Sequence, residues 1–129
     1  ENAIRRLHPP MPHAFPPPIL LISSSFPDPA SAEAAARALV EERLAACVQL
    51  LPGARSIYRW AGKLECATET LLQAKTVADR LDALTARLQA LHPHELPEIV
   101  AVQAEAGLSA YFDWVRAETR EIPQESRPA

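Results

Sequence analysis

The sequence predicts an α+β protein with the ferredoxin-like order β-α-β-β-α-β and an extra C-terminal helix. Two observations lead to this fold class. Segments rich in strand-forming residues alternate with segments in which apolar residues recur at helical spacing. The chain has 129 residues, of which 48% are hydrophobic, and this is the size and composition of one domain with its own core.

The first strand and the first helix are predicted within residues 19–46. The run ILLISSS at 19–25 is short and apolar, as in a buried strand. Asp28 and Pro29 follow it as the N-cap and the first residue of a helix. The apolar positions of this segment recur at helical spacing and are Ala32, Ala36, Leu39, Val40 and Leu44.

A long β-hairpin is predicted next. Residues 47–60 are rich in strand formers, residues 61–63 make the turn, and residues 64–77 return as the following strand. Pro52 interrupts the first of these two strands. Because a proline cannot donate to a central ladder, its position indicates an edge strand or a bulge.

The remaining elements complete the order. Asp79 is predicted to start a second helix, which Pro93 ends. One stripe of that helix consists of Leu81, Leu84, Leu88 and Leu91. Residues 98–105 are predicted as a strand, and Ser109 is predicted to cap the last helix. The apolar side of the last helix consists of Leu108, Phe112 and Val115.

This order places several polar segments at one end of the sheet. Right-handed crossovers put the first strand between the third and the fourth, antiparallel to both. The end of the first strand (23–25), the hairpin (58–65) and the loop 92–97 therefore lie at the same end. That loop lies within the stretch ALHPHELPEI, which carries two histidines and two glutamates around two prolines.

The two ends of the chain are predicted to lie outside the domain. Residues 1–18 are predicted as a disordered, proline-rich tail, the domain spans 19–119, and 120–129 form a C-terminal tail. Met11 is the only methionine, so residues 1–10 are interpreted as an upstream addition to a natural protein that starts at Met11.

Charge and cysteine content bound the class of protein. The net charge of −3 argues against a nucleic-acid partner, and no apolar run is long enough to span a membrane. Cys47 and Cys66 are predicted to lie about 30 Å apart along the hairpin, too far for a disulfide. Free thiols favour a cytoplasmic location.

Four segments of the chain resemble the CutA family of divalent-cation-tolerance proteins. They are ARALVEERLAACVQLLPGARSIYRWAGKLE, LLQAKT, LHPHELPEIVAV and EAGLSAYFDWVRAET, and the resemblance runs from about Ile19 to Thr119. It implies a cytoplasmic homotrimer of ferredoxin-like subunits, whose long hairpin extends a sheet shared with a neighbouring subunit. Tyr58 and Trp60 near the hairpin tip suit that interface, although both rings could instead cap the monomer's own core.

The resemblance also implies binding of divalent metal ions, copper before zinc, with no required cofactor and no catalysis. His92 matches the family's loop histidine, and His94 and Glu95 stand beside it as further nitrogen and oxygen donors. Ser24 stands where some members carry a thiol, so the donors present favour Cu(II). The alternative is that His92 hydrogen-bonds across the interface while His94 is solvated.

A second class of function is a regulatory or scaffold trimer similar to the nitrogen-regulatory PII proteins. It would bind a small anion or a protein partner in a cleft between subunits. The predicted walls of that cleft are Ser24, Tyr58, Trp60, Lys63, Lys75, His92 and Glu98. An enzyme is not expected, because the chain lacks a nucleophile elbow, a P-loop and a dinucleotide-binding motif.

Overall fold

The computed structural model describes residues 15–122. The elements in chain order are β1 (Ile19–Phe26), α1 (Pro29–Glu41), β2 (Cys47–Trp60), β3 (Lys63–Val77), α2 (Leu81–Leu91), β4 (Ile99–Gln103) and α3 (Ser109–Glu118). The predicted fold class and order of elements are confirmed. Predictions about the tails at 1–14 and 123–129 lie outside the described residues, and the domain limits of 19 and 119 stay predictions.

The four strands form one antiparallel sheet in the order β2-β3-β1-β4. As predicted, β1 lies between β3 and β4, and Ser24 pairs with Leu72 on one side and with Ile99 on the other. Alternate side chains of β1 face the helices, because successive residues of a strand point to opposite faces. The core on that face includes Leu20, Ile22, Phe26, Leu39, Leu72, Leu84 and Leu88.

Pro52 lies both on an edge strand and at a bulge, the two positions that its sequence context indicated. β2 is an edge strand of the sheet, and the register between β2 and β3 shifts between Leu51 and Ala54. Gly53 follows with φ of 84°, a left-handed conformation that glycine adopts without steric cost. The bulge therefore combines Pro52, which has no backbone N–H to donate, with Gly53, which adopts a positive φ.

The β2–β3 hairpin projects beyond the rest of the sheet. The last pair between β1 and β3 is Phe26 with Thr70, so residues 54–69 have no β1 beside them. We call residues 54–69 the hairpin arm. At about 3.4 Å per residue, Lys63 at its tip lies about 24 Å beyond Thr70. The arm carries four exposed large apolar side chains, which are Ile57, Tyr58, Trp60 and Leu64.

The first two helices follow the predicted signals with small shifts. Asp28 caps α1, and its Oδ1 accepts a hydrogen bond of 2.7 Å from the Ser31 backbone N–H. Val40 is exposed, contrary to the periodicity, because it stands beside the buried Leu39 in the last turn. A 3-10 turn at Ala78–Arg80 precedes α2, which ends at Leu91, two residues before Pro93.

The last strand and helix differ from prediction in detail. Ser109 is the first residue of α3 but does not cap it, and the N-cap position, Leu108, makes no side-chain hydrogen bond there. Leu108 is 73% exposed, because the Phe112 ring lies against Gly107 and leaves Leu108 outside the packing. β4 is shorter than predicted because it ends where β1 begins, at the hydrogen bond from Ala104 N–H to the Ile19 carbonyl.

α3 packs at the far end of the sheet from the loop 92–98. Its Val115 is fully buried against Ile19 and Val77, which form the first pair of β1 with β3. Within residues 15–122, no helix has the length and apolar character needed to cross a membrane.

Candidate functional site

The loop 92–98 joins α2 to β4 at the end of β1. Two prolines restrict it, Pro93 at its start and Pro97 near its end. His92 leaves the helix with φ of −78° and ψ of 138°, the extended conformation that a following proline enforces. The loop is thereby directed across the end of β1, where Ser25 and Phe26 lie.

The His92 imidazole is buried in this corner and hydrogen-bonded at both nitrogens. It is 8% exposed, and its ring centroid lies 4.3 Å from that of Phe26. Nδ1 accepts a hydrogen bond of 3.0 Å from the His94 backbone N–H. Since that N–H can only donate, the ring proton lies on Nε2, which donates to the Ser25 carbonyl oxygen at 2.6 Å.

His94 and Glu95 differ from His92 in being exposed. Neither side chain has a hydrogen-bond or ion-pair partner within residues 15–122. The His94 ring lies 5.2 Å from the His92 ring, at an angle of 52°. The loop therefore presents one free imidazole and one free carboxylate to solvent, on adjacent residues.

Three further polar residues lie at the end of β1 and the start of β4. Ser25 Oγ donates to Glu98 Oε1 at 3.4 Å, which joins the strand to the loop a second time. Ser24 is 1% exposed, and its Oγ has no hydrogen-bond partner among the described residues. Because Ser24 lies on the core face beside Ile22, its hydroxyl is not available to a ligand held by the exposed His94.

A family-type metal site would require more donors than one chain provides in this arrangement. The described residues contain no group of three or more His, Cys, Asp or Glu side chains placed to hold an ion. His94 and Glu95 are of the type that Cu(II) and Zn(II) accept. Two donors leave the remaining coordination positions to water or to a second copy of the chain.

The cleft predicted from the sequence does not form within one chain. Tyr58, Trp60 and Lys63 lie on the hairpin arm, far along β3 from the residues that pair with β1. Lys75 lies near the opposite end of β3, on the other face from Ser24, and donates to Gln49 Oε1 at 2.7 Å. Because the predicted cleft lies between subunits, the separation of these side chains within one chain leaves the cleft a prediction.

A groove that the sequence analysis missed runs between α2 and β4. It has a volume of about 420 Å³ and an apolar floor that includes Ile99 and Ala101. One wall is a row of polar residues along α2, which are Asp82, Thr85 and Gln89. These residues are three and four positions apart, so the sequence could have predicted that they share one face of a helix. Only the sheet order shows that this face lies beside the edge strand β4.

Two hydrogen-bonded arginines away from the loop 92–98 have a raised pKa. The pKa of Arg87 is raised, first by its hydrogen bonds to Glu42, which join α2 to the end of α1 at 2.9 Å. The pKa of Arg55 is raised, first by its hydrogen bond to Cys66 Sγ at 2.8 Å across the hairpin arm. Both arginines therefore join elements of the fold and are not part of the loop 92–98.

The contacts that hold His92 were only partly foreseen. A hydrogen bond from His92 to a neighbouring subunit was one prediction, whereas its partners Ser25 and His94 belong to the same chain. No residue pattern identifies a backbone carbonyl as an acceptor. Phe26, which packs on the ring, was placed outside the first strand.

The chain is similar to known proteins over most of its length. A family profile described as "CutA1 divalent ion tolerance protein" matches residues 20–118. The divalent-cation tolerance protein CutA of Thermus thermophilus is 47% identical over 95 residues, which are 74% of this chain and 92% of that protein. The bovine protein CutA is 42% identical over 108 residues, which cover 81% of this chain and only 61% of the bovine protein.

Solved structures agree with the sequence comparison. The crystal structure of CutA from Xylella fastidiosa superposes with a TM-score of 0.78 at 51% identity. The superposition covers 79% of this chain and 98% of that one.

Proposed function

Because the chain belongs to the CutA1 family of divalent ion tolerance proteins, we propose that it is a homotrimer that binds divalent cations at the loop 92–98, copper before zinc, without catalysis. The observation that carries this proposal is the pair of free donors on that loop, His94 and Glu95. An exposed imidazole beside an exposed carboxylate is a donor set that suits Cu(II) more than Cu(I), which prefers sulfur.

Reversible binding is expected from so small a donor set. With two protein donors per chain, an ion keeps water ligands or takes further donors from a neighbouring copy. Since an imidazole coordinates only in its neutral form, binding weakens in acid. Exchangeable binding of this kind suits tolerance of an ion better than its permanent incorporation, and the proposal therefore includes no resident cofactor.

Calorimetric titration with Cu(II) tests the cation site. His8 and His13 lie outside the described residues and carry imidazoles of their own, so both are first replaced by glutamine in the full chain. In that background we expect one saturable Cu(II) site per chain. His94→Ala and Glu95→Ala should each weaken binding by about tenfold or more.

Glu41→Ala is the matched control, because it removes another exposed carboxylate, at the end of α1. It should leave the Cu(II) titration unchanged. Saturable binding that survives both loop substitutions would place the ion elsewhere, and the absence of saturable binding in the glutamine background would contradict the proposal.

Assembly into a trimer is supported by the two free edges of the sheet. β2 and β4 are different strands at opposite edges, and pairing of unlike edges from successive copies closes into a ring when the rotation allows it. The sheet face away from the helices also exposes apolar side chains, including Leu51, Leu71, Val100 and Val102. Burial of that face and of the hairpin arm would stabilise an oligomer.

Light scattering coupled to size exclusion tests the assembly. We expect three times the chain mass of 14.1 kDa at micromolar protein. Trp60→Ala should shift the equilibrium toward smaller species, because the ring is 59% exposed on the arm. Phe15→Ala removes an exposed ring that precedes β1 and should leave the mass unchanged. A monomer mass for the unmodified chain would contradict the proposed trimer.

A cytoplasmic location is proposed on the state of the two thiols. Cys47 and Cys66 are both free and lie far apart on the β2–β3 hairpin. A reducing compartment keeps such thiols unmodified. Measurement of both thiols with a thiol reagent in freshly lysed cells should find them reduced, and a mixed disulfide would contradict the assignment.

The α2–β4 groove favours a second candidate, a regulatory trimer with a protein partner. Its lining residues include the Asp82 carboxylate and no basic side chain, so a small anion is the less favoured ligand there. A short segment of a partner would lie in the groove, against its apolar floor and the polar row of α2, and would leave the outer edge of β4 to the trimer. Ala86→Arg, placed in the groove, should block such a partner in a pull-down and leave the Cu(II) titration unchanged.

A further inference from the structure

We infer that His92 is a positioning residue, which holds the loop 92–98 so that His94 is presented to a cation, and that His92 is not itself a metal ligand. The inference rests on the proposed function for the identity of the loop donors. It concerns the residue that the family resemblance makes the first candidate ligand, and its basis is the hydrogen bonding of that residue in this chain.

Both nitrogens of the His92 ring are already in use. Nε2 carries the ring proton and donates it to the Ser25 carbonyl at 2.6 Å, so it has no lone pair to offer. Nδ1 has a lone pair, but it accepts the His94 backbone N–H at 3.0 Å. Coordination through either nitrogen would therefore require the loss of one of these bonds and leave its partner group without a partner.

Burial gives a second, independent obstacle. The ring is 8% exposed and packs on Phe26, which is itself fully buried. An ion that approached the ring would have to displace this packing as well as a hydrogen bond. The exposed His94 presents no such obstacle, because its imidazole has no hydrogen-bond partner within the described part of the chain.

The same two bonds give His92 its role. One bond joins the loop to the end of β1, across 67 residues of sequence, and the other fixes the backbone of His94 relative to that strand. The His92 ring thus holds the backbone of His94 in a fixed position relative to β1. Orientation of a ligand by a neighbouring hydrogen bond is a common means of raising metal affinity.

Nitrogen NMR of the imidazole rings tests this assignment directly. Two-bond ¹H–¹⁵N spectra of the full chain distinguish the two tautomers of each histidine, and His92 should be in the Nε2–H form. Addition of Zn²⁺, a diamagnetic probe, should shift the ring nitrogens of His94 and leave those of His92 in place. A metal-induced shift of a His92 nitrogen, or the Nδ1–H tautomer, would overturn the inference.

Substitutions with different hydrogen-bonding groups separate positioning from ligation. His92→Gln places an amide N–H near the position of Nε2 and retains the donor to Ser25, whereas His92→Ala removes both bonds. With the His8 and His13 replacements in place, His92→Ala should weaken Cu(II) binding by about tenfold. His92→Gln should recover the affinity of the unmodified loop to within about threefold.

The outcomes are distinct for each role. If His92 were a ligand, glutamine and alanine would weaken binding equally, because an amide is a poor ligand for Cu(II). His94→Gln is the matched control for this point, since it should fail to bind where His92→Gln binds. If neither histidine responded to Zn²⁺, the proposed cation site would be wrong, while the tautomer of His92 would still decide its hydrogen-bonding role.

Discussion

The Arg43 guanidinium caps the C-terminus of α3 by donating a hydrogen bond of 2.8 Å from Nη2 to the Ala117 carbonyl oxygen. Its Nε donates a second bond, of 3.0 Å, to the Arg120 carbonyl. Arg43 itself lies in the turn after α1, where its φ of 59° is left-handed. A residue with a left-handed backbone in one turn thereby joins that turn to two carbonyl groups at the end of α3, of which Ala117 also accepts a backbone N–H.

Arg43→Gly should destabilise the protein by about 1–3 kcal/mol, because it removes two charge-assisted hydrogen bonds while allowing the same backbone conformation. Thermal unfolding at equal protein concentration measures the effect. Arg43→Asn also lacks the guanidinium and also tolerates the left-handed region, so it should lose a similar amount. If both variants unfolded at the same temperature as the unmodified chain, the guanidinium hydrogen bonds would contribute nothing measurable to stability.

Ser24→Ala should stabilise the protein by about 1 kcal/mol, because a buried hydroxyl without a partner costs desolvation that a methyl group does not. The opposite effect is expected at Thr76, whose buried Oγ1 donates to the Leu44 carbonyl at 2.6 Å. Thr76→Val keeps the shape and loses the bond, so it should destabilise by about 1–3 kcal/mol. Denaturant midpoints that moved in the same direction for both variants would contradict this reading of the two hydroxyls.

Ala61→Asn should stabilise the hairpin arm by about 0.5–1 kcal/mol. Ala61 and Gly62 form the two-residue turn with φ of 50° and 79°, and asparagine adopts positive φ more readily than alanine. Gly62→Ala introduces strain at the neighbouring position, so it should destabilise the hairpin arm. Amide hydrogen exchange of the arm gives the measurement, and faster exchange in the asparagine variant would contradict it.

Gly107→Ala should destabilise the protein by about 1–3 kcal/mol, because a methyl group there would stand 2.5 Å from Phe112 Cζ. Phe112→Leu shortens the opposing side chain, so the double variant should lose less than the sum of the two single losses. Thermal unfolding of all four chains gives this coupling. Strict additivity would show that the backbone, rather than the ring, yields to the added methyl.

The fold was predictable because its signals are local. Residues 47–60 were predicted as a strand with the bounds that β2 has, and Pro52 indicated both its edge position and its bulge. The cap at Asp28 was predicted from residue type alone and is confirmed. Ser109 is the first residue of α3 and not its cap, although a serine before an apolar periodic segment is the usual signal of an N-cap.

The arrangement of the loop 92–98 was less predictable. Which donors the loop carries was clear from the sequence, but which of them are free depends on side-chain rotamers and on a backbone carbonyl of β1. His92 and His94 look alike as residues, and only the contact with Ser25 distinguishes the bonded ring from the free one. The predicted cleft lies between subunits and stays a prediction, and strand order alone does not tell how far the hairpin that would line it extends past its neighbours.

The uncovered hairpin arm has a consequence for the time between synthesis and assembly. Its strands pair with each other through local contacts, so the arm can form early, while its faces and its outer edge still lack partners. Another unassembled chain could add to that edge in the wrong register. Charged side chains interrupt the apolar ones along the arm and oppose such pairing, and they include Arg55, Arg59, Lys63 and Glu65. We therefore expect these charges to protect the yield of soluble protein even where their removal leaves the stability of the final assembly unchanged.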